Sequence, residues 1–240
     1  MILSRLLAID TTTGACSAAL YEPAAGTIEA ARYRAMPRGH AEALAPMVAE
    51  VMDEAGAAMR DVSRVAVTVG PGTFTGCRIG LAFARALGAA LGCPVIGVST
   101  LRAIAANVFL GGDPDAPPVA SDIAALMDAR RGELYLQLFA QGGAPRTAPR
   151  LIKVLDAVEE LGGEGLMLAG TGADVLINAG AAPGWTRAAA PDFPDARLIA
   201  RLAAAMPDPD TMPEPLYLRA PDAKLPQNKP QLRAGPAPLA

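Results

Sequence analysis

Short apolar runs and one clear helical stripe organise the first half of the chain. Leu6–Ile9 is a continuous apolar run ending on Asp10 and reads as a buried strand. The hydroxyls and glycine of Thr11–Gly14 predict a turn, with further strands over Cys16–Tyr21 and Thr27–Arg34. From His40 onward, Leu44, Met47, Val48, Val51 and Met52 fall on one stripe of a helix. Pro46 is expected in that helix's first turn, where its missing N–H costs nothing, and Gly56 at its end. Val65–Val69 is a β-branched run that suits a strand covered on both faces. Gly70-Pro71-Gly72 then demands a tight turn. A helix is expected from Thr75 to Leu91, closed by Gly92, then a strand over Cys93–Val98 and a helix over Leu101–Leu110. Three strands followed by alternating helices and strands predict an α/β fold, a mixed sheet flanked by helices.

The second half repeats this order less regularly. Gly111–Pro118, rich in Gly, Pro and Asp, reads as a lobe boundary. Ile123–Asp128 and Glu133–Phe139 flank Ala129-Arg130-Arg131-Gly132 as a hairpin, and Leu151–Val154 is a third strand. A helix over Asp156–Leu161, a strand over Leu166–Ala169 and helices over Ala173–Ala179 and Arg197–Ala205 complete it. The expected division is a first lobe over 1–110, a second, smaller lobe over 111–220 and a Pro-rich, disordered tail over 221–240.

Composition narrows the function classes. The chain has 240 residues, 52% of them hydrophobic and only 4% aromatic, so its core is built from many small contacts. A net charge of −3 is not the basic footprint of an autonomous nucleic-acid binder. The three cysteines, Cys16, Cys77 and Cys93, form no C-x-x-C, which argues for reduced thiols in a cytoplasmic protein. No targeting segment or membrane span is evident, because the longest uncharged stretch, Ala86–Val98, is broken by Gly92 and Pro94.

Five segments could carry chemistry. Asp10-Thr11-Thr12-Thr13-Gly14, between two strands, could hold magnesium through the carboxylate and cradle a phosphate; an ordinary polar turn has the same composition. Gly70–Gly80 joins a strand to a helix but is neither a P-loop nor a dinucleotide fingerprint. Within it Gly76, Gly80, Ala84 and Gly88 recur every four residues, a ridge of nearly bare backbone with Ile79, Phe83 and Leu87 beside it. Such a ridge admits another helix closely, either a partner's or an element of the same chain. His40 is the only histidine. That excludes sites needing two His ligands, and with no G-x-S-x-G present it leaves a serine protease without support. Arg130-Arg131 reads as a charged hairpin tip, and Gly170-Thr171-Gly172 as a turn that could face a nucleotide from the second lobe.

Together these segments resemble the TsaB (YeaZ) family. The resemblance rests on Ile9-Asp10-Thr11-Thr12-Thr13, on His40-Ala41-Glu42-Ala43-Leu44-Ala45-Pro46, and on Gly-Pro-Gly-Thr-Phe-Thr-Gly-Cys-Arg-Ile-Gly over 70–80. Met127–Glu133 and Pro215-Leu216-Tyr217-Leu218-Arg219 extend it, and it covers about residues 2–219. It implies two actin-like, ribonuclease H-like lobes, each a mixed sheet flanked by helices. It implies a non-catalytic subunit that pairs with TsaD, and with the ATPase TsaE, for threonylcarbamoyl transfer to the adenosine beside the tRNA anticodon. It further implies a homodimer when TsaD is absent, tRNA bound only through the complex, and no membrane association. The implied interface uses the first two helices. On this sequence its residues are His40, Leu44, Met47, Val51, Thr73, Phe74, Gly76, Arg78, Ile79, Gly80, Phe83, Ala84 and Leu87, with Arg78 and Arg85 as rim charges. Asp10, Thr11, Thr12 and Thr13 are the candidates for nucleotide contact, with ATP or ADP and magnesium expected only at an interface shared within the complex. The competing reading is an autonomous actin-like ATPase or small-molecule kinase using Asp10 and the Thr11–Thr13 loop.

Overall fold

The computed structural model describes residues 5–111, 121–163 and 165–219. The proposed boundary loop from Gly112 and the tail from Pro221 therefore lie outside the described residues. The first sheet begins as a meander of β1 (Arg5–Asp10), β2 (Ala15–Glu22) and β3 (Thr27–Ala35). It continues through α1 (His40–Glu54), β4 (Val62–Gly70), α2 (Phe74–Leu91), β5 (Val95–Ser99) and α3 (Thr100–Phe109). Its strand order is β3-β2-β1-β4-β5, with β1 antiparallel to β2 and parallel to β4.

The second sheet is built from β6 (Asp122–Arg130), β7 (Glu133–Phe139), β8 (Arg150–Lys153), β9 (Leu166–Ala169) and the two-residue β10 (Thr186–Arg187). Its helices are α4 (Val154–Leu161), α5 (Ala173–Ala179) and α6 (Ala196–Ala204). The order is β10-β9-β6-β7-β8; read from its other end, as β8-β7-β6-β9-β10, it is the first sheet's with each strand replaced by its counterpart. The chain thus folds as two actin-like lobes, a duplication of topology that no repeated sequence announces.

Both sheets are covered on both faces. Along β1 and β4, Leu7, Ile9, Val65 and Val67 point to α1 and α2, while Leu6, Ala8 and Ala66 point to α6. Period-two alternation with apolar residues on both sides is what makes these strands continuous hydrophobic runs. The outer face of the second sheet packs on α4 and α5 through Leu126, Leu134 and Leu168. Its inner face packs on α3 through Leu101, Ile104 and Phe139. The two lobes exchange helices: α3 follows the first sheet and packs on β6 and β7, while α6 follows the second sheet and packs on β1 and β2.

Pro46 lies in the interior of α1, not in its first turn. The helix begins at His40 behind Gly39, a left-handed residue with φ 88°, so the proline falls a turn later than expected. Glu42, whose carbonyl loses its partner, is exposed, so water can take the freed acceptor. α2 is the one helix among the described residues long and apolar enough to cross a membrane. Here it packs along β4.

After α6 the chain runs as a strap without regular structure from Pro207 to Arg219. Arg64 receives its start, bonding Met206 O at 2.6 Å and pairing with Asp208 at 2.8 Å. Arg85 donates to Pro213 O, and Leu216 N donates to Val69 O at 2.8 Å. Arg219 ends it in the other lobe, donating to Ala129 O at 2.9 Å and pairing with Glu133.

Candidate functional site

The β1–β2 turn and the start of α2 form one packed unit. Asp10 closes β1 fully buried. Its Oδ1 accepts from Thr12 N at 3.1 Å, from Thr12 Oγ1 at 2.6 Å and from Thr68 Oγ1. Thr100 Oγ1 donates to Thr12 Oγ1 at 3.2 Å, extending the relay to the start of α3. Thr11 Oγ1 donates to Gly76 O at 2.7 Å, and Thr73 N donates to Thr12 O at 2.8 Å. Thr73 caps α2, its Oγ1 accepting from Gly76 N at 3.1 Å.

Glycine is what lets this unit close. A Cβ on Gly72 would stand 2.4 Å from Thr12 O, and one on Gly76 would stand 2.1 Å from Thr11 O. A Cβ on Gly80 would meet Thr11 Oγ1 at 2.7 Å, and one on Gly88 would meet Val95 Cγ2 at 2.3 Å. The small-residue ridge is therefore the seat of α2 on its own sheet. This corrects the expectation that placed Gly76, Gly80 and Ala84 on a partner surface, since all three are buried against the chain itself. His40, Leu44, Met47 and Val51 are likewise turned inward on α1. An interface there would need side chains whose apolar area the lobe's own core has already taken.

What α2 presents outward is a different strip. Thr73, Phe74 and Arg78 are exposed, and Ile79, Phe83 and Leu87 are half-buried along its flank. Ala82, Ala86, Ala89 and Ala90 are exposed too and were not anticipated, although their spacing from Phe74 and Arg78 already marks them as the ridge's opposite face. Phe74 is 53% exposed and Tyr217 of the strap 43%, in a protein poor in aromatic residues.

The phosphate-cradle expectation for Asp10, Thr11, Thr12 and Thr13 meets the same packing. All four are buried, and the Thr11 hydroxyl and the Thr12 carbonyl are bonded to the start of α2. The Thr11 and Thr12 hydroxyls, which could donate to a phosphate, donate instead to Gly76 O and Asp10 Oδ1. Its second-lobe counterpart, Asp128–Glu133, is different again. Arg130, Arg131 and Gly132 have φ of 63°, 57° and 74°, and Asp128 Oδ1 accepts from Arg130 N at 2.7 Å. Gly170, at the end of β9 as Gly70 is at the end of β4, would put a Cβ 2.3 Å from Leu126 O. Gly170-Thr171-Gly172 thus packs on β6 instead of opening toward a ligand. A cavity of about 300 Å³, with Asn107, Asp195, Arg197 and Arg201 among its walls, includes none of these turn residues.

The model for the family described as TsaD, tRNA N6-adenosine threonylcarbamoyltransferase, matches residues 34–173. The chain is 39% identical over 131 residues to the tRNA threonylcarbamoyladenosine biosynthesis protein TsaB of Escherichia coli K12, covering 55% of this chain and 53% of that protein. An uncharacterized protein of Mycobacterium tuberculosis H37Rv is 35% identical over 223 residues, 92% of this chain and 95% of its own. The structure of YeaZ from Pseudomonas aeruginosa superposes with a TM-score of 0.70 at 33% identity, covering 83% of this chain and 90% of that one. The chain belongs to the TsaB (YeaZ) family. Its match spans about half the length of the curated E. coli TsaB, whereas the mycobacterial relative and the YeaZ structure are covered nearly end to end.

Within this TsaB-family fold the buried polar atoms of the first turn carry a measurable charge signature. Asp10 Oδ2, Thr13 Oγ1 and His40 Nε2 are buried with no hydrogen-bond partner among the described residues. Burial pushes the Asp10 carboxyl above its ordinary range, against the bonds from Thr12 and Thr68 that favour the charged form. Burial, reinforced by the nearby Asp10 charge, also pushes the Cys77 thiol up to about 12 and the Cys16 thiol up to about 11, so neither is a ready nucleophile at neutral pH. A carboxyl whose folded pKa is raised holds its proton more tightly in the native state. Its stability contribution is present below the unfolded value and is lost as pH rises through the folded one. Wild type is therefore expected to gain stability relative to Asp10→Asn as pH falls from about 8 toward about 5. Urea midpoints of the two proteins across that range check it; a gap that stays flat or shrinks would mean the carboxyl is charged and fully compensated.

Proposed function

We propose that this chain takes part in tRNA threonylcarbamoyladenosine biosynthesis as a non-catalytic subunit. In this reading it pairs with TsaD, recruits the ATPase TsaE, and supports threonylcarbamoyl transfer to the adenosine beside the anticodon in the cytoplasm. Without TsaD it pairs with a second copy of itself, and tRNA meets it only within the complex. Membership of the family supports the pathway. The observation that carries the non-catalytic half is the packed first turn: the Thr11 and Thr12 hydroxyls, donors that an actin-like ATPase would turn toward phosphate, donate instead to Gly76 O and Asp10 Oδ1. The single histidine is consistent with it, because a His-x-x-x-His metal pair cannot be assembled from one. A nucleotide with magnesium, if the complex uses one here, would need groups contributed by the partner.

The outward strip of α2, with Phe74, Arg78, Ala82 and Ala86, is the surface this reading assigns to the partner. It is free of acidic residues and its alanines are small, which suits the close approach of another helix. Light scattering after size exclusion, on the chain alone and mixed with TsaD from the same organism, tests the proposal. A homodimer that exchanges into a heterodimer is the expected result. A monomer that ignores TsaD and hydrolyses ATP would overturn it in favour of the autonomous ATPase, with Asp10 as the residue to pursue.

A further inference from the structure

Arg78 is an exposed cation that the fold holds still. Its guanidinium carbon lies 3.8 Å from the centroid of the Phe74 ring. Its Nε donates to Tyr217 Oη at 3.2 Å. The Phe74 and Tyr217 rings are themselves in contact, with centroids 5.6 Å apart and planes tilted by 31°. Tyr217 reaches this point because the preceding residue of the strap, Leu216, is tied to the C-terminal end of β4 through Val69 O. Phe74 is in place because it opens α2 directly after its cap, Thr73. Two elements, the start of α2 and the strap, therefore converge on one guanidinium.

The arrangement leaves a defined part of Arg78 unused. One face of the guanidinium is stacked and Nε is engaged, while no bond to Nη1 or Nη2 is made among the described residues. Many other arginines of this chain end on a carboxylate of the chain itself, as Arg5 does on Glu29, Arg64 on Asp208, Arg187 on Asp192 and Arg219 on Glu133. α2 carries no acidic residue, and the exposed carboxylates of the neighbouring helix α1 are either unpaired with Arg78 or, as Glu50 and Glu54, taken by Arg32. An arginine normally gives up considerable side-chain freedom when it pairs; here stacking and the Tyr217 bond have removed that freedom before any partner arrives. A planar guanidinium fixed at Nε presents its two terminal nitrogens in the geometry that receives a carboxylate through two parallel bonds.

We propose that Arg78, held by Phe74 and Tyr217, is the anchor of the α2 surface and receives a carboxylate from the protein that docks there. The partner's matching feature is an Asp or Glu set among small or apolar side chains, because the residues flanking Arg78 on the outward strip are Phe74, Ala82 and Ala86. Charge complementarity selects the occupant: a face whose cations, Arg78 and the carbonyl-bonded Arg85, meet no carboxylate among the described residues and which has no acid fits an apolar surface that brings an acid. The strap acquires a role from this as well, since its Tyr217 orients the anchor. This inference rests on the reading that α2 docks on TsaD.

Calorimetric titration of the full chain into TsaD from the same organism tests it, with circular dichroism to check that each variant is folded. Arg78→Gln is expected to weaken the heterodimer by about thirtyfold. Arg78→Lys, which keeps the charge but loses the fork and the stacking, is expected to weaken it by about tenfold. The salt dependence of wild-type binding is expected to flatten in Arg78→Gln, because a screened charge pair has been removed. Arg78→Gln binding within twofold of wild type overturns the inference, and so does Arg78→Lys binding as wild type does, because charge alone would then suffice. A loss confined to self-association, with TsaD binding unchanged, also overturns it. If wild type itself does not bind TsaD, it is the underlying functional reading that fails, and that outcome is distinct from all of these.

Discussion

Gly76→Ala is expected to destabilise the chain by about 3 kcal/mol or more, lowering Tm by about 6–12 °C for a protein of this size. The added methyl would stand 2.1 Å from Thr11 O and 2.5 Å from Thr73 Oγ1. One of these is backbone in a turn that is itself bonded to Gly76 O, and the other is the cap of α2. Relief would require the helix to lift from the sheet, breaking the contacts of Leu81 and Ala84 with the core beneath. Gly142→Ala is the control, since nothing lies within 4 Å of a Cβ there, and its effect should stay within about 0.5 kcal/mol. Thermal melts of the two variants decide the matter. Equal melting temperatures would mean that α2 is not seated on the β1–β2 turn and that the turn is open. By the same geometry a bulky residue at Gly80 would disturb the fold before it disturbed any partner, because its Cβ meets Thr11 Oγ1 and Val67.

The second large effect is on binding and should leave stability alone. Ala82 and Ala86 face outward one turn apart on α2, and replacing both with glutamate removes no core contact and keeps helix propensity high. Two charges placed in the middle of an apolar strip would have to be buried unpaired against the partner. The Ala82→Glu, Ala86→Glu double variant is expected to bind TsaD at least about a hundredfold more weakly, with a Tm within about 2 °C of wild type. Threonylcarbamoyl transfer in the reconstituted system should fall in step with occupancy, and recover when TsaD and the variant are both raised well above the new Kd. Undiminished binding would remove α2 from the interface. A loss of transfer that concentration does not restore would mean that the chain contributes to the chemistry beyond presenting a surface.

These two results separate residues that the linear sequence treats alike. The four-residue recurrence of Gly76, Gly80, Ala84 and Gly88 is equally compatible with a partner's helix and with the chain's own sheet, because both demand close backbone approach. The structure assigns the ridge to the sheet, and the assignment turns on Thr11: its carbonyl and hydroxyl fill the space over Gly76 and Gly80. The opposite face of the same helix then becomes the exposed one. Phe74 and Arg78 remain from the original expectation, and Ala82 and Ala86 join them. Leu44, Met47 and Val51 are withdrawn into the core for the reason that made them visible in the first place, since a regular apolar stripe is the mark of a helix packed on its own domain, and His40 is buried with them at the start of α1.

The strap shows the same limit from the other side. Pro213, Leu216, Tyr217 and Arg219 lie in a stretch without periodicity, and no local rule says where an irregular segment runs. Their contacts are with residues far away in sequence: Arg85, Val69, Arg78 and Glu133. The resemblance included Pro215–Arg219, yet only the folded chain connects that segment to the cation on α2.

The amino-acid sequence by itself determined the elements and their order. Strand and helix limits read from apolar runs, turn residues and glycine stops agree with the fold to within a few residues, from Leu6–Ile9 in β1 to Ala173–Ala179 in α5. Local physics suffices for this, because side-chain periodicity and the backbone demands of glycine and proline act over a few neighbouring residues. Two exceptions were the position of Pro46, displaced by a helix start at His40, and the two-residue β10, too short to leave a pattern. Tertiary structure alone decided which face of α2 is exposed, that the Asp10 turn packs on the start of α2, that α3 and α6 are exchanged between lobes, and that Arg78 is held by Phe74 and Tyr217. Each of these depends on which distant backbone atom occupies a space of a few ångströms, and no periodicity within a segment records what packs against it.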